Sequence, residues 1–288
     1  MKIIDIVNNK KKVVGFEIFP PKPEVPIENI YKSLARFKAL NPDYISVTYG
    51  AGGSTRENTI DIASKIKEEY NIESMAHFTC VGHQTLEIDQ LLDSMSQKGL
   101  KNILALRGDP PKDQPGYDFS NCAYRYASEL IRHIREGNDF CISAAAYIEG
   151  HIESKRISDD IINLKNKVDQ GVDFLITQLF FDNRFYFDFV ERIISKGINC
   201  PVIPGIMPVF APQQIKNMCA RSGCSLPAKL VITMDKYAND PDDMLKAGID
   251  YAASQIRDLI DNGAPGVHLY TMNRPVSTRK ILKSAGLI

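Results

Sequence analysis

The chain has 288 residues, and its 35 Lys and Arg are balanced by 35 Asp and Glu, so the formal net charge is zero. That balance leaves no overall positive field for nucleic acid phosphates or an anionic membrane surface, and 44% hydrophobic residues is too many for a disordered chain. No stretch reaches the roughly 18 apolar residues of a spanning helix. The N-terminal apolar patch breaks at Asp5, too short for a secretory core, so the expected location is the cytoplasm, with no membrane and no nucleic acid partner.

Short β-branched and aromatic runs alternate with longer helical patterns along the chain. Val13–Phe19 reads as a strand, and Ile27–Leu40 as a helix introduced by Pro26. Strand Asp43–Tyr49 precedes a helix over Ser54–Tyr70, and strand Glu73–Cys80 precedes a helix over Thr85–Lys98 that Gly99 stops. Asn102–Arg107 leads through a Pro-rich loop to a helix near Cys122–Arg135. Phe140–Tyr147 is followed by helix Ser158–Gly171, and Asp173–Phe181 by helix Arg184–Lys196. Pro201–Ile206 is the seventh strand, with helical stretches at Pro212–Ala220 and Pro241–Asn262 after it. Val267–Thr271 is the eighth, and a helix near Ser277–Ser284 closes the chain.

Strands alternating with helices imply a parallel sheet, and eight such units imply an α/β fold closed as a (β/α)8 TIM barrel. An open doubly wound sheet competes, but it needs no eighth unit and usually carries a nucleotide site in its first strand–helix turn. No linker-like tract divides the sequence, so residues 1–288 are expected to form a single domain, with extra helices between strands seven and eight. The six cysteines (Cys80, Cys122, Cys141, Cys200, Cys219, Cys224) show no C-x-x-C, and the five histidines no H-x-x-x-H. Reduced thiols and no metal centre are therefore expected.

A barrel of this type works at the carboxyl ends of its strands. The polar residues there are Glu17, Thr48, His77, Arg107 with Asp109, Tyr147, Gln178 and the run Tyr270–Arg274. Glu17 lies in an apolar strand, where burial raises a carboxyl pKa and suits a general acid; a structural ion pair with a barrel Lys or Arg is the other reading. The loop Tyr49-Gly50-Ala51-Gly52-Gly53-Ser54-Thr55 fails both common phosphate-loop templates, and Ser54 with Glu57 has capping-box spacing, so tight turn and ligand loop both stay open. Arg107-Gly108-Asp109-Pro110-Pro111 reads as a ligand-approaching turn or as a surface ion pair.

Taken together, these strand ends resemble the methylenetetrahydrofolate reductase family. The matching pieces are Phe16-Glu17-Ile18-Phe19-Pro20-Pro21-Lys22, Thr48-Tyr49-Gly50-Ala51-Gly52-Gly53-Ser54 and Ala76-His77-Phe78-Thr79-Cys80. Leu106-Arg107-Gly108-Asp109, Ser143-Ala144-Ala145-Ala146-Tyr147, Lys167-Val168-Asp169 and Ile176-Thr177-Gln178 follow. Pro204-Gly205-Ile206-Met207-Pro208 and His268-Leu269-Tyr270-Thr271-Met272-Asn273-Arg274 complete the set, which runs in family order along nearly the whole chain.

The resemblance implies reduction of 5,10-methylenetetrahydrofolate to 5-methyltetrahydrofolate by hydride transfer from reduced FAD. Glu17 matches the family's general acid, which protonates N10 so that the methylene bridge opens to a 5-iminium cation. Asp109 matches the carboxylate near both flavin and pterin. For FAD the match carries over Thr48, Tyr49, Ala51, His77, Arg107, Gly108, Asp109, Tyr126, Ala127, Tyr147, His151, Asp160, Asn163 and Lys167. Three of these, Asp160, Asn163 and Lys167, share one helical face, which without the resemblance reads as a solvated surface. On the folate side stand Gln178, Gln214, Met218, Met272 and Arg274. Asn166 replaces an Arg usual in relatives, which removes one cationic FAD contact. Met218 stands where bacterial relatives place a Phe, and it packs there without an aromatic face.

The donor is a reduced nicotinamide nucleotide, NADH or NADPH, or a partner such as ferredoxin or an electron-donor subunit, and a homo-oligomer or a larger complex is the expected assembly. The length matches the bacterial catalytic barrel and leaves no room for the regulatory domain of eukaryotic relatives. Two other functions stay open: a barrel flavoprotein of the proline dehydrogenase type, and a non-catalytic folate- or flavin-binding subunit of a methyl-transfer complex.

Overall fold

The computed structural model of the chain describes residues 1–22, 24–49, 56–110, 117–119 and 122–288. It starts with helix α1 (Ile3–Asn9), then β1 (Val13–Ile18), α2 (Glu28–Lys38), β2 (Tyr44–Val47), α3 (Arg56–Tyr70), β3 (Glu73–Thr79) and α4 (Thr85–Gln97). Next come β4 (Asn102–Leu106), α5 (Ala127–Gly137), β5 (Cys141–Ala146), α6 (Ile157–Val168), β6 (Phe174–Thr177) and α7 (Asn183–Ser195). The last part holds β7 (Val202–Ile203), β8 (Gly205–Ile206), α8 (Pro212–Ser222), α9 (Ala228–Lys236), α10 (Pro241–Asp261), β9 (Gly266–Tyr270) and α11 (Pro275–Ala285).

The strands pair in parallel in the order β7-β6-β5-β4-β3-β2-β1-β9-β8. The seventh strand expected from sequence is thus two short ladders on either side of Pro204, which has no N–H to give. Val202 and Ile203 pair with β6, while Gly205 and Ile206 pair with β9. One segment therefore closes the ring, and the architecture is a (β/α)8 TIM barrel.

Some boundaries differ from the sequence reading. Strand β6 stops at Thr177 instead of running to Phe181; past it, the Gln178 side-chain oxygen takes the Leu179 N–H at 2.8 Å. Helix α5 starts at Ala127 instead of near Cys122, because the Glu129 carboxylate accepts from the N–H groups of Arg125 (2.6 Å) and Tyr126 (3.0 Å) and caps the helix there. Helices α1 and α9 are additional to those the sequence pattern predicts, and three helices lie between β8 and β9.

Strand alternation sorts the side chains into two faces. Outward residues such as Phe16, Ile45, Phe78 and Leu269 pack beneath the helices in the main core. Inside the barrel, the lower level is apolar: Val13, Tyr44, Met75, Leu104, Cys141 and Phe174 meet Ile3 and Val7 of α1. Helix α1 is pinned there by Asn102, whose Oδ1 accepts from Ile3 N at 2.7 Å. The upper level is polar and buried, with Glu17, Ser46, His77, Ser143 and His268. Barrel interiors are normally filled by bulky branched residues, so this polar upper level marks where the fold departs from pure packing.

Candidate functional site

Glu17 is the inward residue of β1 nearest the carboxyl end and is buried, 6% exposed. Its Oε2 lies 3.3 Å from Nε2 of His268 on β9 and 3.4 Å from Nε2 of His77 on β3. Burial pushes the Glu17 carboxyl up, and the His268 and His77 imidazoles pull it down further, to about 2. The carboxylate is thus the favoured form in the free chain. This corrects the raised pKa expected from the apolar flanks of β1, which do not reveal imidazoles contributed by β3 and β9. The partners of Glu17 are two histidines, not the Lys or Arg of the alternative ion-pair reading. The turn after β9 is strapped to the same spot: Thr271 Oγ1 donates to the Glu17 carbonyl at 2.6 Å, and Met272 and Asn273 follow with φ of 52° and 54°. Left-handed backbone at non-glycine residues is costly and persists where neighbouring contacts enforce it.

A second group gathers at the ends of β4 and β5 and the start of α6. Arg107 binds Glu153 through two parallel bonds (2.8 and 2.7 Å) and lies 4.8 Å over the Phe119 ring. Gly108 follows with φ of 90°, its bare Cα facing the Val81 side chain. Asp109 is exposed and close enough to act electrostatically on Arg107 and Tyr147. Burial pushes the Tyr147 phenol up; it hydrogen-bonds Gln178, and its ring meets that of His151 edge-on at 4.5 Å. Asp160 accepts from His151 N (3.2 Å) and Ser154 Oγ (2.9 Å). Lys167 reaches back to the end of β5, donating an ammonium N–H to the Ala145 carbonyl at 2.6 Å, and burial lowers its pKa to about 8. Asn163 and Asn166 are exposed on the same helix.

The remaining sequence candidates lie around this rim. Thr48 is held through its carbonyl by Thr59 Oγ1 (3.0 Å), and the Tyr49 hydroxyl meets His83 Nε2 at 2.9 Å. Tyr126 is exposed at the start of α5, beneath the Arg125 guanidinium, with Ala127 opening the helix. Gln214 and Met218 are one turn apart on α8, the first exposed and the second packed on the cluster that holds Tyr270. Arg274 is exposed, its guanidinium 4.8 Å over the Phe210 ring. Ala51, with the rest of the 50–55 loop and its Ser54 cap, lies outside the described residues.

Sequence reasoning missed Glu153 and the role of His268. His268 was legible in principle: it precedes Tyr270 by two residues on one strand and so faces the same way. Glu153 carries no such signal, because it reaches Arg107 across 46 residues from an irregular loop. Among the described residues no three His, Cys, Asp or Glu side chains converge as metal ligands, and no helix is long and apolar enough to cross a membrane.

A family model described as methylenetetrahydrofolate reductase matches residues 2–286. Methylenetetrahydrofolate reductase (NADH) 1 of Arabidopsis thaliana is 35% identical over 304 residues, which takes in 100% of this chain and 51% of that protein. The chain thus spans about half the length of that relative. The 5,10-methylenetetrahydrofolate reductase of Escherichia coli strain K12 is 35% identical over 274 residues, covering 95% of this chain and 90% of that protein. Among solved structures, a Clostridium thermocellum protein that binds two copies of 5-methyl-5,6,7,8-tetrahydrofolic acid aligns with a TM-score of 0.65 at 16% identity, over 98% of this chain and 97% of that one. At that identity the likeness is one of fold. These comparisons give no support to a proline-oxidising barrel or to a non-catalytic binding subunit.

Proposed function

Because the chain belongs to the methylenetetrahydrofolate reductase family, we propose that it reduces 5,10-methylenetetrahydrofolate to 5-methyltetrahydrofolate, with FAD as cofactor and Glu17 delivering the proton that opens the methylene bridge at N10. The observation that carries this reading is the Glu17 carboxylate, buried at the mouth of the barrel between two imidazoles. The reading treats residues 1–288 as one catalytic unit.

The second group of residues fits a flavin dinucleotide. Lys167 is a half-buried cation whose hydrogen-bond partner is a neutral carbonyl, and Arg107 adds a second cation. An anionic diphosphate would complete that electrostatic arrangement. Tyr147 and His151 offer ring surfaces beside it, and Asp160 offers a carboxylate acceptor of the kind ribose hydroxyls use. Around the bound cofactor stand Thr48, Tyr49, His77, Gly108, Tyr126, Ala127 and Asn163, and Asn166 contributes an amide without charge. When bound and reduced, FAD supplies the hydride for the one-carbon unit.

The chain's own residues do the rest. A pterin lying over Glu17 removes its remaining water, which raises the carboxyl's affinity for a proton, and that proton comes from solvent as the pterin binds. Opening the bridge at N10 leaves positive charge on the 5-iminium, and Asp109 offsets it through space. Gln178 and Gln214 hydrogen-bond the folate, Met218 and Met272 pack against it, and Arg274 meets the glutamyl carboxylates.

The test separates the half-reactions. The purified chain should hold FAD, and methylenetetrahydrofolate should reoxidise the reduced flavin anaerobically with formation of 5-methyltetrahydrofolate. The plant relative is named as an NADH enzyme, and NADH, NADPH and reduced ferredoxin tried in turn identify the donor. Glu17→Gln should abolish reoxidation by folate and leave flavin reduction intact. A chain that binds no FAD, or a Glu17→Gln variant with both half-reactions at normal rates, overturns the proposal.

A further inference from the structure

We propose that Tyr44, one level below the reacting groups, is a positioning residue: its hydroxyl donates to Nδ1 of His268 and thereby commits the Nε2–H of that imidazole to Glu17. The inference rests on the reading of Glu17 as the acid, and it adds what sets that acid's proton affinity.

The register of the sheet builds the arrangement. Gly15 of β1 pairs with Tyr44 of β2 on one side and with His268 of β9 on the other, so Gly15 stands between the two in the sheet register. A side chain on β1 would separate its neighbours, but Gly15 has none. A Cβ there would fall 2.2 Å from Cζ of Tyr44 and 2.5 Å from its hydroxyl oxygen. Across this gap the Tyr44 hydroxyl comes to 2.9 Å from Nδ1 of His268, the two rings lying near-parallel at 16°. One level higher, Glu17 pairs with Ser46 and Tyr270, and His268 Nε2 points up to Glu17 Oε2 at 3.3 Å, with Ser46 Oγ at 3.5 Å.

Tyr44 is wholly buried in an otherwise apolar layer with Val13, Met75, Leu104 and Phe174. A phenylalanine would fill that space without burying a hydroxyl, and a buried hydroxyl is costly unless it is bonded. Burial, with the charge on Glu17, keeps the phenol protonated, so it is a donor at any working pH. Among the described residues Nδ1 of His268 is the acceptor within reach of that proton, so the hydroxyl donates to it, and in the neutral ring the proton sits on Nε2, aimed at the carboxylate. Without the hydroxyl, the ring is free to carry its proton on Nδ1 and turn the Nε2 lone pair towards Glu17. That arrangement favours the protonated acid.

The titratable groups facing this chain of contacts are His77 on β3, Tyr44 on β2, and His268 and Tyr270 on β9, with Asp43 at the foot of β2 and Cys141 on β5 beside Tyr44. The experiment uses Tyr44→Phe and histidine labelled with nitrogen-15. In the unliganded wild-type chain, the imidazole nitrogens of His268 should report an accepting Nδ1 and a protonated Nε2. In Tyr44→Phe that pattern should be lost. The ionisation seen in the pH profile of folate-driven flavin reoxidation should move up by about one unit, the value of one hydrogen bond, while flavin reduction by the donor keeps its rate. A wild-type His268 protonated on Nδ1 overturns the inference without any variant. So does a Tyr44→Phe enzyme with unchanged tautomer and unchanged profile. If instead Glu17→Gln still reduces folate, the reading of Glu17 fails while the nitrogen-15 result on Tyr44 still stands or falls by itself.

Discussion

The side-chain amide of Asn273 grips both backbone polar groups of Phe19, accepting from its N–H at 3.0 Å and donating to its carbonyl at 2.8 Å. This ties the turn after β9 to the end of β1 two residues beyond Glu17, and it fixes the left-handed Met272-Asn273 pair. Asn273→Ala leaves both backbone groups without that partner and is expected to cost about 1–3 kcal/mol. Asn273→Asp should be worse, since it keeps the acceptor but turns a second oxygen towards the Phe19 carbonyl. Thermal unfolding checks the cost, and single-turnover kinetics should show reoxidation by folate slowed more than flavin reduction.

Arg107 is held by Glu153, an exposed carboxylate on a loop, so any anion that uses Arg107 must displace it or share it. Glu153→Gln removes the competing charge and is expected to tighten FAD binding about 2- to 5-fold at low salt, within the range of exposed ion pairs. The gain should fade as salt rises. Fluorescence titration of the two proteins at low and high ionic strength is the measurement; equal affinities would mean that Arg107 makes no contact with the cofactor.

Glu17 also links stability to pH. Its carboxyl lies at about 2 in the folded chain against an ordinary 4.5, so the folded state binds fewer protons than the unfolded one between those values. The stabilisation is fully present above 4.5 and is lost as pH falls towards about 2. Urea unfolding of wild type and Glu17→Gln should therefore show a gap near neutrality that narrows steadily through that acid window. A gap independent of pH would mean the histidines do not hold the carboxylate.

The alternation of strands and helices was legible because period two and period 3.6 are local properties, and eight units leave little choice of architecture. What was not legible came from across the barrel. The apolar neighbours of Glu17 in β1 face outward to the helices, whereas the groups that set its charge arrive from β3 and β9, 60 and 251 residues away. The split of the seventh strand needed only Pro204, but its consequence, one ladder to β6 and another to β9, belongs to closure of the ring. Helix α1 looked like an isolated apolar patch because its partners, Val13, Met75 and Phe174, line the inside of the barrel.

Lys167 gives a proton-counting test of the cofactor site. Its pKa is lowered from 10.5 to about 8 by burial, with Asp160 pulling the other way. Between about 8 and 10.5 the unfolded chain holds this proton more firmly, so this group's contribution to stability rises with pH across that window. A bound diphosphate would restore the charged form, because an anion at contact distance favours the ammonium. FAD binding at a pH of about 9 should therefore take up a fraction of a proton. Calorimetry in buffers of different ionisation enthalpy measures that uptake directly. Wild type should show heats that depend on the buffer, and Lys167→Met should bind more weakly with no such dependence; buffer-independent heats in wild type would remove Lys167 from the cofactor site.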